Sequence, residues 1–122
     1  MNTNQSSLTA SVLEQVKQEP LGKVIADQFG VTPTALEIPF SKTKKKEIVN
    51  ARFLFMYYAS KVKGKGPSCI GRKVGRGHAD IIHAIRQAGN RINTEKDYRE
   101  KYSHILLQIE QGRVIIPEFC EI

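Results

Sequence analysis

Pro67-Ser68-Cys69-Ile70-Gly71-Arg72-Lys73-Val74-Gly75-Arg76-Gly77-His78-Ala79-Asp80-Ile81-Ile82-His83-Ala84 is the stretch that decides how this chain folds. Gly64, Gly66 and Pro67 break the chain before it, and Gly75 and Gly77 break it in the middle. Residues 68–74, held between these breakers, have room for about two helical turns. Beyond Gly77, Ile81, Ile82, Ile85, Ala88 and Ile92 form an apolar face, while His78, Asp80, His83, Arg86, Gln87 and Asn90 take the other side. That periodicity predicts an amphipathic helix over residues 78–92. A short helix, a glycine turn and an amphipathic helix make a helix-turn-helix. The polar start of the second helix suits a DNA major groove, which is wide enough to admit a helix.

Working outward, residues 44–62 are expected to form the longest helix. Ile48, Val49, Ala51 and the run from Phe53 to Ala59 surround its axis, so its second half should be buried on most sides. Lys44, Lys45 and Lys46 make its first turn basic, against the helix dipole. Upstream, Val24, Ile25 and Phe29 predict a helix over residues 21–29 that Gly30 stops. Thr32 then caps a further helical turn with Pro33 in its first position. Val12, Leu13 and Val16 suggest a short helix over residues 8–19, closed by Pro20. Downstream, Asn93 or Thr94 is expected to cap a last helix, with Asp97 completing a capping box. Tyr98, Tyr102, Ile105, Leu106 and Ile109 form its stripe, and Gly112 ends it. Residues 113–116 are β-branched enough for a short strand. The fold class expected is all-α, a helical domain at residues 21–111 with an N-terminal tail at 1–20 and a C-terminal tail at 112–122.

The charge is uneven. The chain carries +7, yet residues 42–76 alone carry +10, from eleven basic residues against Glu47. Both signs normally mix on a solvated surface, so the imbalance points to a polyanionic partner. Cys69 and Cys120 show no metal-ligand spacing and are expected to be reduced thiols. No apolar run reaches the ~20 residues of a membrane span, and the N-terminus does not read as a signal peptide. The expected protein is cytoplasmic, without membrane association. No local grouping of nucleophile and base suggests an enzyme, and no cofactor or metal is expected.

Residues 41–52, Ser41-Lys42-Thr43-Lys44-Lys45-Lys46-Glu47-Ile48-Val49-Asn50-Ala51-Arg52, followed by Met56-Tyr57-Tyr58 and by Ile70-Gly71 through Ala84, resemble the C-terminal DNA-binding domain of the bacterial DnaA replication initiators. The similarity spans residues 21–107. It implies an all-helical domain with a helix-turn-helix of the Trp-repressor type, which binds a short duplex site through its recognition helix. An arginine from the basic segment reaches an adjacent minor groove in that family, and Arg52 matches it. Arg76 and His78 match the arginine and histidine of the family signature, and Lys42 matches a basic position before the long helix.

Two departures stand out. Where the family signature reads arginine, aspartate, histidine, threonine, threonine, this chain has Arg76, Gly77, His78, Ala79 and Asp80, after a turn one residue shorter. Ala79 can still meet a thymine methyl, while Asp80 repels phosphate and can accept from a cytosine amino group. Altered sequence preference is therefore expected. No GxxxxGK[ST] phosphate loop is present, so the family's ATPase module is not expected in this chain.

The candidate DNA-binding residues are Lys42, Lys44, Lys45, Lys46, Arg52, Arg72, Lys73, Arg76, His78, Ala79, Asp80 and His83. Double-stranded DNA is the expected partner, with a role in replication or transcription control. The alternatives are a protein-interaction module that has lost base reading and binds an initiator or other acidic protein, or RNA binding through the same basic face.

Overall fold

Phe53-Leu54-Phe55-Met56-Tyr57-Tyr58-Ala59 leaves a helix no polar side, so the rest of the chain has to wrap around it. A computed structural model, which describes residues 18–119, shows how. Five α-helices follow in order: α1 (Leu21–Phe29), α2 (Lys46–Lys61), α3 (Pro67–Val74), α4 (His78–Thr94) and α5 (Lys96–Glu110). A single 3-10 turn, Pro33–Leu36, lies between α1 and α2. Leu54, Phe55, Met56, Tyr58 and Ala59 are all buried, and Phe53 and Tyr57 are half-buried. α4 packs along α2, with α1, α3 and α5 around this pair.

Two tyrosines pin α5 to α2 through their hydroxyls. Tyr58 Oη donates to the Tyr102 carbonyl at 2.6 Å, and Tyr98 Oη donates to the Asn50 carbonyl at 3.0 Å. Each phenol thus finds the partner that a buried hydroxyl needs. The Tyr58 and Tyr102 rings also stack, with centroids 5.6 Å apart.

The expected strand exists and finds an unexpected partner. β1 (Glu19–Pro20) and β2 (Val114–Ile115) pair in parallel, Glu19 beside Val114 and Pro20 beside Ile115. Val114, Ile116 and Phe119 are buried in the same core as the helices. Glu19 is therefore extended, while the rest of the helix expected over residues 8–19 lies almost wholly outside the described residues.

Other expectations are corrected. Among the described residues the longest helix is α4, at 17 residues, and α2 has 16. Ile82 stands 36% exposed, and Ala84 takes the inward place expected of it. Thr94 does not cap α5: it ends α4, its hydroxyl bonded back to the Asn90 carbonyl at 2.8 Å. Glu95 occupies the cap position of α5 without a side-chain cap bond. Cys69 is disulfide-bonded instead of reduced, and Cys120 lies outside the described residues.

The turn between α3 and α4 depends on two glycines. Gly75 closes α3 at φ +80°, a left-handed conformation that strains any residue with a side chain. Gly71 sits so close to the following turn that a Cβ there would stand 2.5 Å from the Arg76 carbonyl oxygen. Gly71→Ala should therefore destabilise the domain by about 1–3 kcal/mol, the usual range for overpacking, measured by urea unfolding. Burial also pushes the Tyr58 and Tyr98 phenols above the ordinary tyrosine range. In the unfolded chain they titrate near pH 10, so their share of stability is complete below about pH 10 and is lost as pH rises beyond it. The melting midpoint should fall above that pH, and less steeply in Tyr58→Phe.

Candidate nucleic-acid interface

A loop of residues 41–45 runs from the core to α2 and faces the start of α4. Between them lies an open cleft of about 600 Å³, lined by Lys42, Thr43, Lys44, Gly75, Arg76, Gly77 and Asp80. It deepens toward α2 into a smaller hollow, where Arg52, Phe53, Met56, His83 and Ala84 join the lining. Lys42, Lys44, Lys45 and Lys46 are all exposed. The loop makes one weak internal contact, from the Lys45 backbone N–H to Thr43 Oγ1 at 3.4 Å.

The recognition helix presents the residues expected at its start. His78, Ala79, Asp80 and His83 are exposed. Gly77 precedes the first turn and has no side chain to cap it. The first backbone N–H groups therefore lack a side-chain acceptor and carry the positive end of the helix dipole. Asp80 in that turn partly neutralises this field. His83 rests its ring edge-on against Phe53 at 5.9 Å, which fixes its direction.

Ile82 and Arg86 are exposed on the same side as Ala79 and were missing from the sequence-derived site. The signal was available: Ile81, Ala84, Ala88 and Ile92 are the buried set, spaced by three and four. Ile82 follows Ile81 by about 100° of helical rotation and so turns outward.

The arginines behave differently from the lysines. Arg52 is only 5% exposed. Its Nε donates to the Ala35 carbonyl at 2.9 Å, Nη1 to the Ser41 carbonyl at 2.8 Å, and Nη2 to Ser41 Oγ at 3.1 Å. Burial, and then the neighbouring Arg76 charge, lower its pKa from the ordinary guanidinium value. The structure thus places the Arg52 guanidinium among carbonyls of the protein interior. Arg76 is half-buried; its Nη2 donates to the Ser41 carbonyl at 2.7 Å, and its Nη1 to the carbonyls of Phe40 and Gly75 at 3.2 and 3.1 Å.

The basic middle third is split in space. Lys42, Lys44 and Arg76 converge on the cleft, with Lys45 and Lys46 beside it at the start of α2. Lys61 ends α2, about 22 Å along the helix from Lys46, and Lys63 and Lys65 follow it. Lys63 is paired with Glu118 at 3.3 Å. Arg72 and Lys73 are exposed on α3 and line a separate hollow beside Cys69 and Phe119. Neither residue lines the cleft.

Residues 19–88 match the family described as bacterial dnaA protein helix-turn-helix. The chromosomal replication initiator protein DnaA of Flavobacterium psychrophilum is 32% identical over 91 residues, covering 74% of this chain and 18% of that protein. The protein of the same name from Chlorobaculum tepidum is 29% identical over 98 residues, covering 80% and 19%. That from a Wolbachia of Brugia malayi is 28% identical over 106 residues, covering 86% and 21%. The chain thus spans about a fifth of the length of the curated relatives it matches.

Asp80 is the acid in a cleft otherwise lined by cations and small residues. Asp80→Asn should strengthen binding to random-sequence duplex several-fold at low salt, because it removes a repulsion from phosphate. The same change should weaken the helix start by about 0.3–1 kcal/mol, since it removes a favourable dipole interaction. Fluorescence anisotropy and thermal melting read the two effects separately.

Proposed function

The chain belongs to the bacterial DnaA helix-turn-helix family, and on that premise we propose that it binds double-stranded DNA by laying the start of α4 in a major groove. One observation carries this reading: the exposed turn of His78, Ala79 and Asp80 shares its cleft and border with Lys42, Lys44 and Arg76. Base edges are read from within the groove, and phosphates border it on both sides. A helix start flanked by a basic loop fits that arrangement. Lys42 and Lys44 are the exposed cations placed to follow the backbone or enter the adjoining minor groove, since Arg52 is turned inward. Lys45, Lys46, Arg72 and Lys73 add sequence-independent attraction, and Ile82, His83 and Arg86 extend the reading face along α4.

The chemistry of that face shapes its specificity. Ala79 offers a methyl group and no hydrogen bond, so it suits a thymine methyl. Asp80 accepts but does not donate, so it suits a cytosine amino group. The biological setting that follows is control of replication or transcription at a duplex site. No helix among the described residues is long and apolar enough to cross a membrane.

Anisotropy titration against random duplex should show affinity falling linearly with salt on logarithmic axes. Four engaged lysines would give a slope near −3.6, at about −0.9 for each phosphate neutralised. On a site selected from random pools, His78→Ala should lose about 1–3 kcal/mol, and it should lose little on random duplex. Absence of duplex binding at low salt would overturn the reading. The exposed Asp80 carboxylate favours one alternative, a protein-interaction module. Partners captured from extract that persist after nuclease treatment would favour it, and preference for structured RNA over duplex in competition would favour RNA.

A further inference from the structure

Arg52 and Arg76 converge on one backbone carbonyl. Ser41 O accepts an N–H from Arg52 at 2.8 Å and another from Arg76 at 2.7 Å, one for each of its lone pairs. Arg52 comes from α2, and Arg76 from the turn that leads into α4. The Phe40 ring lies within reach of both guanidinium groups, 4.7 Å from Arg52 and 5.9 Å from Arg76. The Phe40 backbone is held as well, its N–H donating to the Val74 carbonyl at 2.8 Å. Residues 40 and 41 are therefore tied to α2, to the end of α3 and to the turn before α4 at once.

Two like charges meeting at one partly buried carbonyl repel each other. Among the described residues the two guanidinium groups are held by carbonyls, one hydroxyl and an aromatic face. Such an arrangement suits arginine alone, because its planar fork donates in several fixed directions and lysine's ammonium does not. The next residues along the chain, Lys42 and Lys44, have only the loop's own anchorage to direct them.

We infer that Arg52 is a positioning residue which, with Arg76, latches residues 41–45 against the start of α4, so that the loop lysines and the recognition helix meet a duplex as one preset unit. This rests on the duplex-binding reading above, and it gives Arg52 a role that involves no contact with DNA. A loop held in its bound geometry before the encounter loses less conformational entropy on binding.

The test is Arg52→Lys, which keeps the charge and removes the fork, with two readouts. Without DNA, trypsin should cut after Lys42 and Lys44 at least tenfold faster than in wild type, with cutting after Lys63 and Lys65 unchanged. On duplex, Arg52→Lys should weaken binding about tenfold in the wild-type background but less than twofold in Lys42→Ala/Lys44→Ala. That non-additivity is the mark of a residue acting through the lysines. If Arg52→Lys raises cutting at every site, Ser41→Ala replaces it. This change removes the hydroxyl that Arg52 Nη2 reaches at 3.1 Å and keeps the carbonyl, so it should speed loop cutting about twofold and lower duplex affinity less than Arg52→Lys does. Additive losses of affinity, or loop cutting unchanged in both variants, overturn the latch. Wild-type protein that binds no duplex while its loop remains arginine-dependent toward trypsin would sink the duplex reading and leave the latch standing.

Discussion

The close approach of Gly71 to the Arg76 carbonyl is the contact on which the arrangement of the site depends. The backbone N–H groups of Gly75 and Arg76 both return to the Gly71 carbonyl, at 2.8 and 2.9 Å. A chain that reverses so tightly has no space for a side chain at its inner corner. With the corner fixed, α4 leaves α3 in a set direction, and Ile81 drops into the core beside it. Everything on the outer surface of α4 follows from that rotation, including which residues of its first turn see solvent.

The corner also fixes the position of Arg76, and through it the basic loop. Sequence distance between Ser41 and Arg76 is large, but the two meet because α2 and α3 fold back on one another. Electrostatics alone would scatter these cations, since they repel. Backbone carbonyls and the face of Phe40 hold them instead, and such contacts are directional where charge attraction is not. Geometry set by packing is thus converted into a charge pattern at the surface.

Much of the fold was legible in the sequence, because glycine and proline punctuate it so plainly. Gly30, Gly66-Pro67, Gly75 and Gly112 bound the helices where expected, and the apolar ring of Phe53 to Ala59 announced its own burial. The parallel pairing of Glu19 with Val114 was not legible, since it joins distant segments with only two residues each and no local signal. The capping box at Thr94 misled because that hydroxyl turns back to the Asn90 carbonyl inside α4, and Glu95 takes the cap position instead. At the site, composition identified the cations but not their positions. A run of lysines and arginines shows how much charge there is, while the burial of Arg52 depends on carbonyls at Ala35 and Ser41 contributed by other elements.

The split of the basic segment bears on specificity as well as affinity. Had all eleven cations faced one way, nonspecific attraction would dominate, and a weak reading face would hardly matter. Here the cleft and its border hold Lys42, Lys44, Lys45, Lys46 and Arg76, with Asp80 among them, while Lys61, Lys63 and Lys65 lie at the far end of α2. On the duplex-binding reading proposed above, a modest electrostatic grip leaves more of the discrimination to α4. On that face the Ala79 and Ile82 side chains offer no hydrogen bonds, so on the proposed reading methyl contacts and the cost of deforming the duplex would act beside the polar groups of His78, Asp80, His83 and Arg86. On the proposed duplex-binding reading, the more rigidly the loop and α4 are joined, the less of their alignment has to be paid for when a duplex is bound.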